Sequence, residues 1–203
     1  MITVRQIQRL WDEHAYRRLA DLLGEGRSDL ANDAPRGSPA VAAAALGIIR
    51  LDELGQSSHP VCARLIRSLL NAQQPDGAWG EIGLTVLAIR ALRCANGEGE
   101  AIARGIQWLA ELQKEDGAWP VEPVRRLPAD AANTTFILLH LGNDPLLHAK
   151  ARLDDALSWI TSHRHEMDAG TRRLADRVVV RRRWTSTRAP ANSTTAWLFA
   201  EAA

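Results

Sequence analysis

Few side chains in this sequence have the types and spacing that chemistry needs, and three of them share one stretch, PADAANTTFILLH from Pro128 to His140. Asp130 is a carboxylate that can give or take a proton, and Asn133 is an amide that can orient one. His140, seven residues beyond Asn133, returns to the same helix face after two turns. These three are the candidate catalytic residues. The same types also start helices: Asp130 and Asn133 read as N-caps with Thr134 and Thr135 in the first turn, much as Asn192 to Thr195 do near the chain end. Glu81 precedes another apolar stretch, where it either enters a cavity mouth or favours the first turn of a helix. Asp76 and Asp116 recur in one repeated turn, and repetition argues for turn formation.

Metal chemistry is poorly supplied. Cys62 and Cys94 have no CxxC spacing, and Asp154 and Asp155 form an isolated acidic pair outside any DDxxD box, so free thiols and no metal site are expected. Arg172, Arg173, Arg177, Arg181, Arg182, Arg183 and Arg188 fall within 17 positions opposed by Asp176 alone. Such a cluster clamps a diphosphate, docks on an acidic surface, binds nucleic acid without sequence preference, or is an ordinary solvated face. Val178, Val179 and Val180 inside it favour extended backbone, which predicts a short β-hairpin or arm near 172–188. A diphosphate role places Arg182 or Arg183 at the opening of the fold.

The elements that position these groups are helical. Ala occurs 33 times and Leu 26 times in 203 residues, and both are strong helix formers. With 46% hydrophobic and 24% charged residues and a net charge of +1, the chain reads as a globular protein rather than a disordered chain or a generally basic nucleic-acid binder. No sequence-specific nucleic-acid partner is expected. No apolar run reaches the roughly 20 residues of a membrane span, and MITVRQIQRLWDEH lacks the apolar centre of a secretory signal, so a cytoplasmic location is expected.

A repeat organises the middle of the chain. RSLLNAQQPDGAWGE from Arg67 and WLAELQKEDGAWP from Trp108 bring Gln73/Gln113, Asp76/Asp116, Gly77/Gly117 and Trp79/Trp119 into register at an offset of 40. Each copy ends an apolar helical stretch and precedes another, so the unit is helix, turn, helix. Segments from Ser38, Gly83, Asn133 and Ser193 have the small or hydroxylated starts and Ala/Leu content of inner helices. Segments 59–74, 98–114 and 145–163 carry charge on one face and read as outer helices. A helix at about 4–23 and a Gly/Asp/Pro linker form an N-terminal part, 1–37, ahead of a repeat domain, 38–203.

In the second copy Arg104, Gly105, Trp108, Leu109, Gln113, Gly117 and Trp119 follow the order basic, small, aromatic, aliphatic, Gln, G-x-W. This resembles the QW motif of squalene-hopene cyclase and of the wider terpene cyclase and prenyltransferase repeat group. The first copy keeps Arg64, Leu69, Gln73, Gly77 and Trp79 but has Ser68 at the aromatic position. The resemblance covers 38–142 well and 143–203 weakly. It implies an all-α fold, an α/α toroid-like array of helical hairpins, and it gives Gln73, Trp79, Gln113 and Trp119 a structural role, the Gln amide bonding the next helix under the Trp ring.

Family chemistry begins with protonation of an alkene or epoxide by the central acid of a DxDD or DxDTT motif. Here Asp130 and Asn133 fit the outer positions of DxDD with Ala132 in the donor's place, while the DxDTT register puts Ala131 and Asn133 in the acid positions. Both registers lose the proton donor. The resemblance therefore implies one of two roles. One is a small isoprenoid cyclase-like enzyme without a cofactor, using Asp130 as a non-standard acid and Phe136 and Trp197 to face cationic intermediates. The other is a non-catalytic toroid-fold module that binds an apolar ligand or partners a larger biosynthetic enzyme. The zinc set of the protein prenyltransferases is missing. At 203 residues the chain holds about four hairpins where the family's ring closes with about six, so a second copy or a partner enzyme is expected on the open side.

Overall fold

The computed structural model describes residues 38–97 and 99–187 of the 203-residue chain. The N-terminal helix expected at about 4–23, the segment from Ser193 with Trp197, and the side chains of Arg182 and Arg183 lie outside the described residues. The described part is all-helical. Its α-helices are α1 (Ser38–Glu53), α2 (Pro60–Ala72), α3 (Ile82–Cys94), α4 (Gly99–Leu112), α5 (Ala131–Leu141), α6 (Pro145–Lys150), α7 (Leu153–Ser162) and α8 (Ala169–Thr187), with a 3-10 turn at Arg164–Glu166.

Burial separates the helices into two layers. In α3 every residue from Ile82 to Ile89 is buried, and Val41 to Ile49 of α1 and Asn133 to Leu138 of α5 are buried in the same continuous way. Apolar side chains all round a helix call for neighbours on every side. α1 packs on α3, α3 on α5, and α5 on α8, which makes an inner row in chain order. The outer helices bury one stripe each: Cys62, Leu65 and Leu69 in α2, and Ile102, Ile106 and Leu109 in α4. Contacts between carboxyl ends set the direction of the inner row. Arg93 bonds Asp144 just beyond α5, and Cys94 lies beside Asp52 of α1, so α1, α3 and α5 run parallel.

Two expectations need correction. The stretch expected as a hairpin or arm near 172–188 is part of helix α8, 19 residues long. Asp168 starts it: Oδ1 accepts the amides of Gly170 and Thr171, and Oδ2 accepts the Thr171 hydroxyl. Thr171, Leu174, Ala175 and Val178, at helical spacing, then form its buried face, and burial of that stripe outweighs the β-preference of the valines. The third outer segment, 145–163, is broken into α6 and α7 at Ala151 and Arg152. The break is occupied by a side chain from the previous unit: Gln113 donates to the Arg152 carbonyl at 3.0 Å and accepts its amide at 2.8 Å.

Candidate functional site

The two Trp turns are built from the same bonds. In each, the glycine lies in the left-handed region, at φ +95° for Gly77 and +89° for Gly117, which favours a residue without Cβ. Asp76 Oδ1 accepts the Ala78 amide as Asp116 Oδ1 accepts that of Ala118. Trp79 and Trp119 donate from Nε1 to Leu69 and Leu109 carbonyls, both at 2.7 Å, satisfying carbonyls near the ends of α2 and α4. Their backbone amides donate to Thr85 and Thr134 hydroxyls, which ties the start of the next inner helix to the turn. Gln73 donates to the Gly77 and Ala101 carbonyls, and Arg104 donates to Gln73 Oε1.

Asp130 and Asn133 sit at the amino end of α5. Asp130 is its N-cap: Oδ1 accepts the Asn133 amide at 2.7 Å. The Asn133 side chain is buried and donates to the Pro120 and Val121 carbonyls. Glu81 occupies the corresponding place before α3 but forms no side-chain cap. Burial pushes its carboxyl above the ordinary range.

His140 lies ten residues beyond Asp130 on α5, about 15 Å along the axis, so the structure does not bring the two together. Its Nδ1 is 2.7 Å from an Arg90 guanidinium nitrogen, and because a guanidinium can only donate, Nδ1 accepts and the ring proton sits on Nε2. Phe136, buried, meets the His140 ring edge-on at 4.3 Å between centroids. Beside it Arg93 makes a two-pronged contact with the buried carboxylate of Asp144, whose Oδ1 also caps α6 through the amides of Leu146 and Leu147. This end also holds Cys94, whose thiol burial and the nearby Asp52 push up to about 11. Among the described residues no cluster of three or more His, Cys, Asp or Glu is placed to hold a metal.

Sequence reasoning missed the segment between Trp119 and α5. Two residues, Gly80 and Glu81, connect Trp79 to α3, whereas 120–130 connect Trp119 to α5. The signal is present in the sequence: the offset of 40 at Trp79/Trp119 becomes 49 at Thr85/Thr134, an insertion of nine residues. An antiparallel bridge closes it between Pro120 and Ala129, with Val121 N to Pro128 O at 3.0 Å and Asp130 N to Trp119 O at 2.8 Å. Lys114 reaches across to donate to the Arg125 and Leu127 carbonyls. Arg125 and Arg126, with Lys114, Glu115 and Asp116, line a cleft of about 490 Å³.

No protein-family model, no curated protein and no solved structure matches the chain.

Proposed function

We propose that the chain is a non-catalytic helical-repeat module of the α/α-toroid type that works by association, as a partner of a larger enzyme or as a binding subunit. One observation carries this reading: Asp130, the acid nearest the family's proton donor, is used as a hydrogen-bond acceptor for the first turn of α5. Asn133, in the adjoining position, is equally committed to the 120–121 backbone. A proton donor must present an O–H to a substrate: the Asn133 amide has none, and Asp130, with Oδ1 bound to the helix start, has only Oδ2 for one. Incubating the full chain with C15 to C30 polyprenyl substrates and analysing the extracts tests it. No cyclised product is expected, and a product that disappears in Asp130→Asn would overturn the proposal.

A second reading rests on Glu81. It heads an inner helix and is not consumed in capping, and burial shifts its carboxyl upward, the direction that acid initiation on an isoprenoid-like polyene asks of a carboxyl. On that reading product formation is lost in Glu81→Gln and retained in Asp130→Asn.

A further inference from the structure

We propose that the inserted loop 120–130 is a preformed docking site for an acidic segment of a partner protein, which lays carboxylates on Arg125 and Arg126 and an aliphatic side chain on Val121 and Val124. The inference deepens the association reading and rests on it.

The repeat itself does not need this loop, because the first copy makes the same Trp–Thr bond with two connecting residues. The loop is nevertheless heavily braced. Its base is bridged, Asn133 holds its first carbonyls from beneath, and Lys114 holds its far side, so the backbone conformation exists before any partner arrives. A binding surface ordered in advance loses little entropy on association. In solenoid proteins, insertions within a repeat fall on one face, often the one that binds.

What the braced loop presents is specific in chemistry. Val121 is 50% and Val124 39% exposed, two of the three large hydrophobic residues that are exposed among the described residues. Arg125 and Arg126 are exposed, and neither is engaged by a carboxylate among the described residues. Lys114 is anchored on two loop carbonyls and Asp116 by the Ala118 amide, so against the carboxylates of Glu115 and Asp116 the cleft keeps three cationic groups, of which the two guanidiniums carry no carboxylate among the described residues. Glu115 on the cleft and Glu122 on the loop discriminate among anions. They repel an extended polyanion such as a nucleic-acid backbone, while a short segment with two carboxylates and an aliphatic neighbour finds two guanidiniums and two valines.

Selection of a phage-displayed random peptide library on the full chain tests the site. Enriched peptides should combine at least two Asp or Glu with Leu, Ile or Val. Their affinity should fall about tenfold or more in the Arg125→Glu/Arg126→Glu variant and in Val124→Ser, with the urea midpoints unchanged. No enrichment, acid-poor peptides, or equal binding by the double variant would overturn the proposal. Loop-dependent peptide binding together with a cyclised polyprenyl product would retain the docking site and reject the non-catalytic reading, so the two claims fail separately.

Discussion

Gly117 and Gly55 share a left-handed backbone but not a neighbourhood. A Cβ at Gly117 would lie 2.6 Å from the Ala156 nitrogen, whereas one at Gly55 (φ +66°) meets nothing within 4 Å. Gly55→Ala should therefore cost about 1 kcal/mol, the conformational penalty alone, and Gly117→Ala at least about 3 kcal/mol, since backbone of α7 must move. Urea unfolding of the two variants measures the difference, and equal costs would remove the close approach from the account. Cys94 supplies a pH dependence. Its folded thiol titrates near 11 against an ordinary 9.0, so both states are protonated below pH 9 and the unfolded chain ionises first above it. Stability should fall between pH 9 and 11, by about 2 kcal/mol at the upper end, and this part of the fall should vanish in Cys94→Ala. Much of the residue scale is readable from the chain because its bonds are local: Asp130 to Asn133, Asp76 to Ala78 and Gln113 to Gly117 span two to four residues. The Arg90–His140 and Arg93–Asp144 contacts span 50 and 51, and no spacing rule indicates them.

At the scale of elements, helix type follows from periodicity and helix ends follow from neighbours. α2, α4 and the buried row of α3 match the apolar patterns that announce them. The break between α6 and α7 depends on a glutamine 39 residues earlier, and α8 on a core that accepts Val178. Local pattern contains neither fact, although Asp168 ahead of Thr171 is a cap signal that would have favoured a helix over an arm. The inserted loop gives the element-scale prediction. Replacing 120–130 by Gly-Glu together with Asn133→Leu restores the residues of the first repeat at those places. The shortened protein should stay helical by circular dichroism and lose no more than about 1 kcal/mol in urea, while losing peptide capture. A collapse of the fold would show that the loop is structural.

Across the whole molecule, each inner helix packs on its neighbours in the row, as in other repeat proteins whose stability is shared between adjacent units. α3, flanked by α1 and α5 and packed on α4, should hold the slowest-exchanging amides, with α7 and the 3-10 turn exchanging faster. Hydrogen exchange resolved by peptide checks the order, and faster exchange in α3 than in α7 would contradict it. The duplicated turn carries one more consequence. Two units closed by one set of hydrogen bonds are interchangeable halves, and during refolding the first turn of one chain can meet the successor helix meant for the second, in the same molecule or in another. Their glutamines guard against the exchange. Gln73 needs the Ala101 carbonyl and the Arg104 guanidinium, while Gln113 needs both backbone groups of Arg152 in a helix break. Each turn thus carries a key cut for its own successor, and a mispaired second turn is left with the buried Gln113 Oε1 unsatisfied.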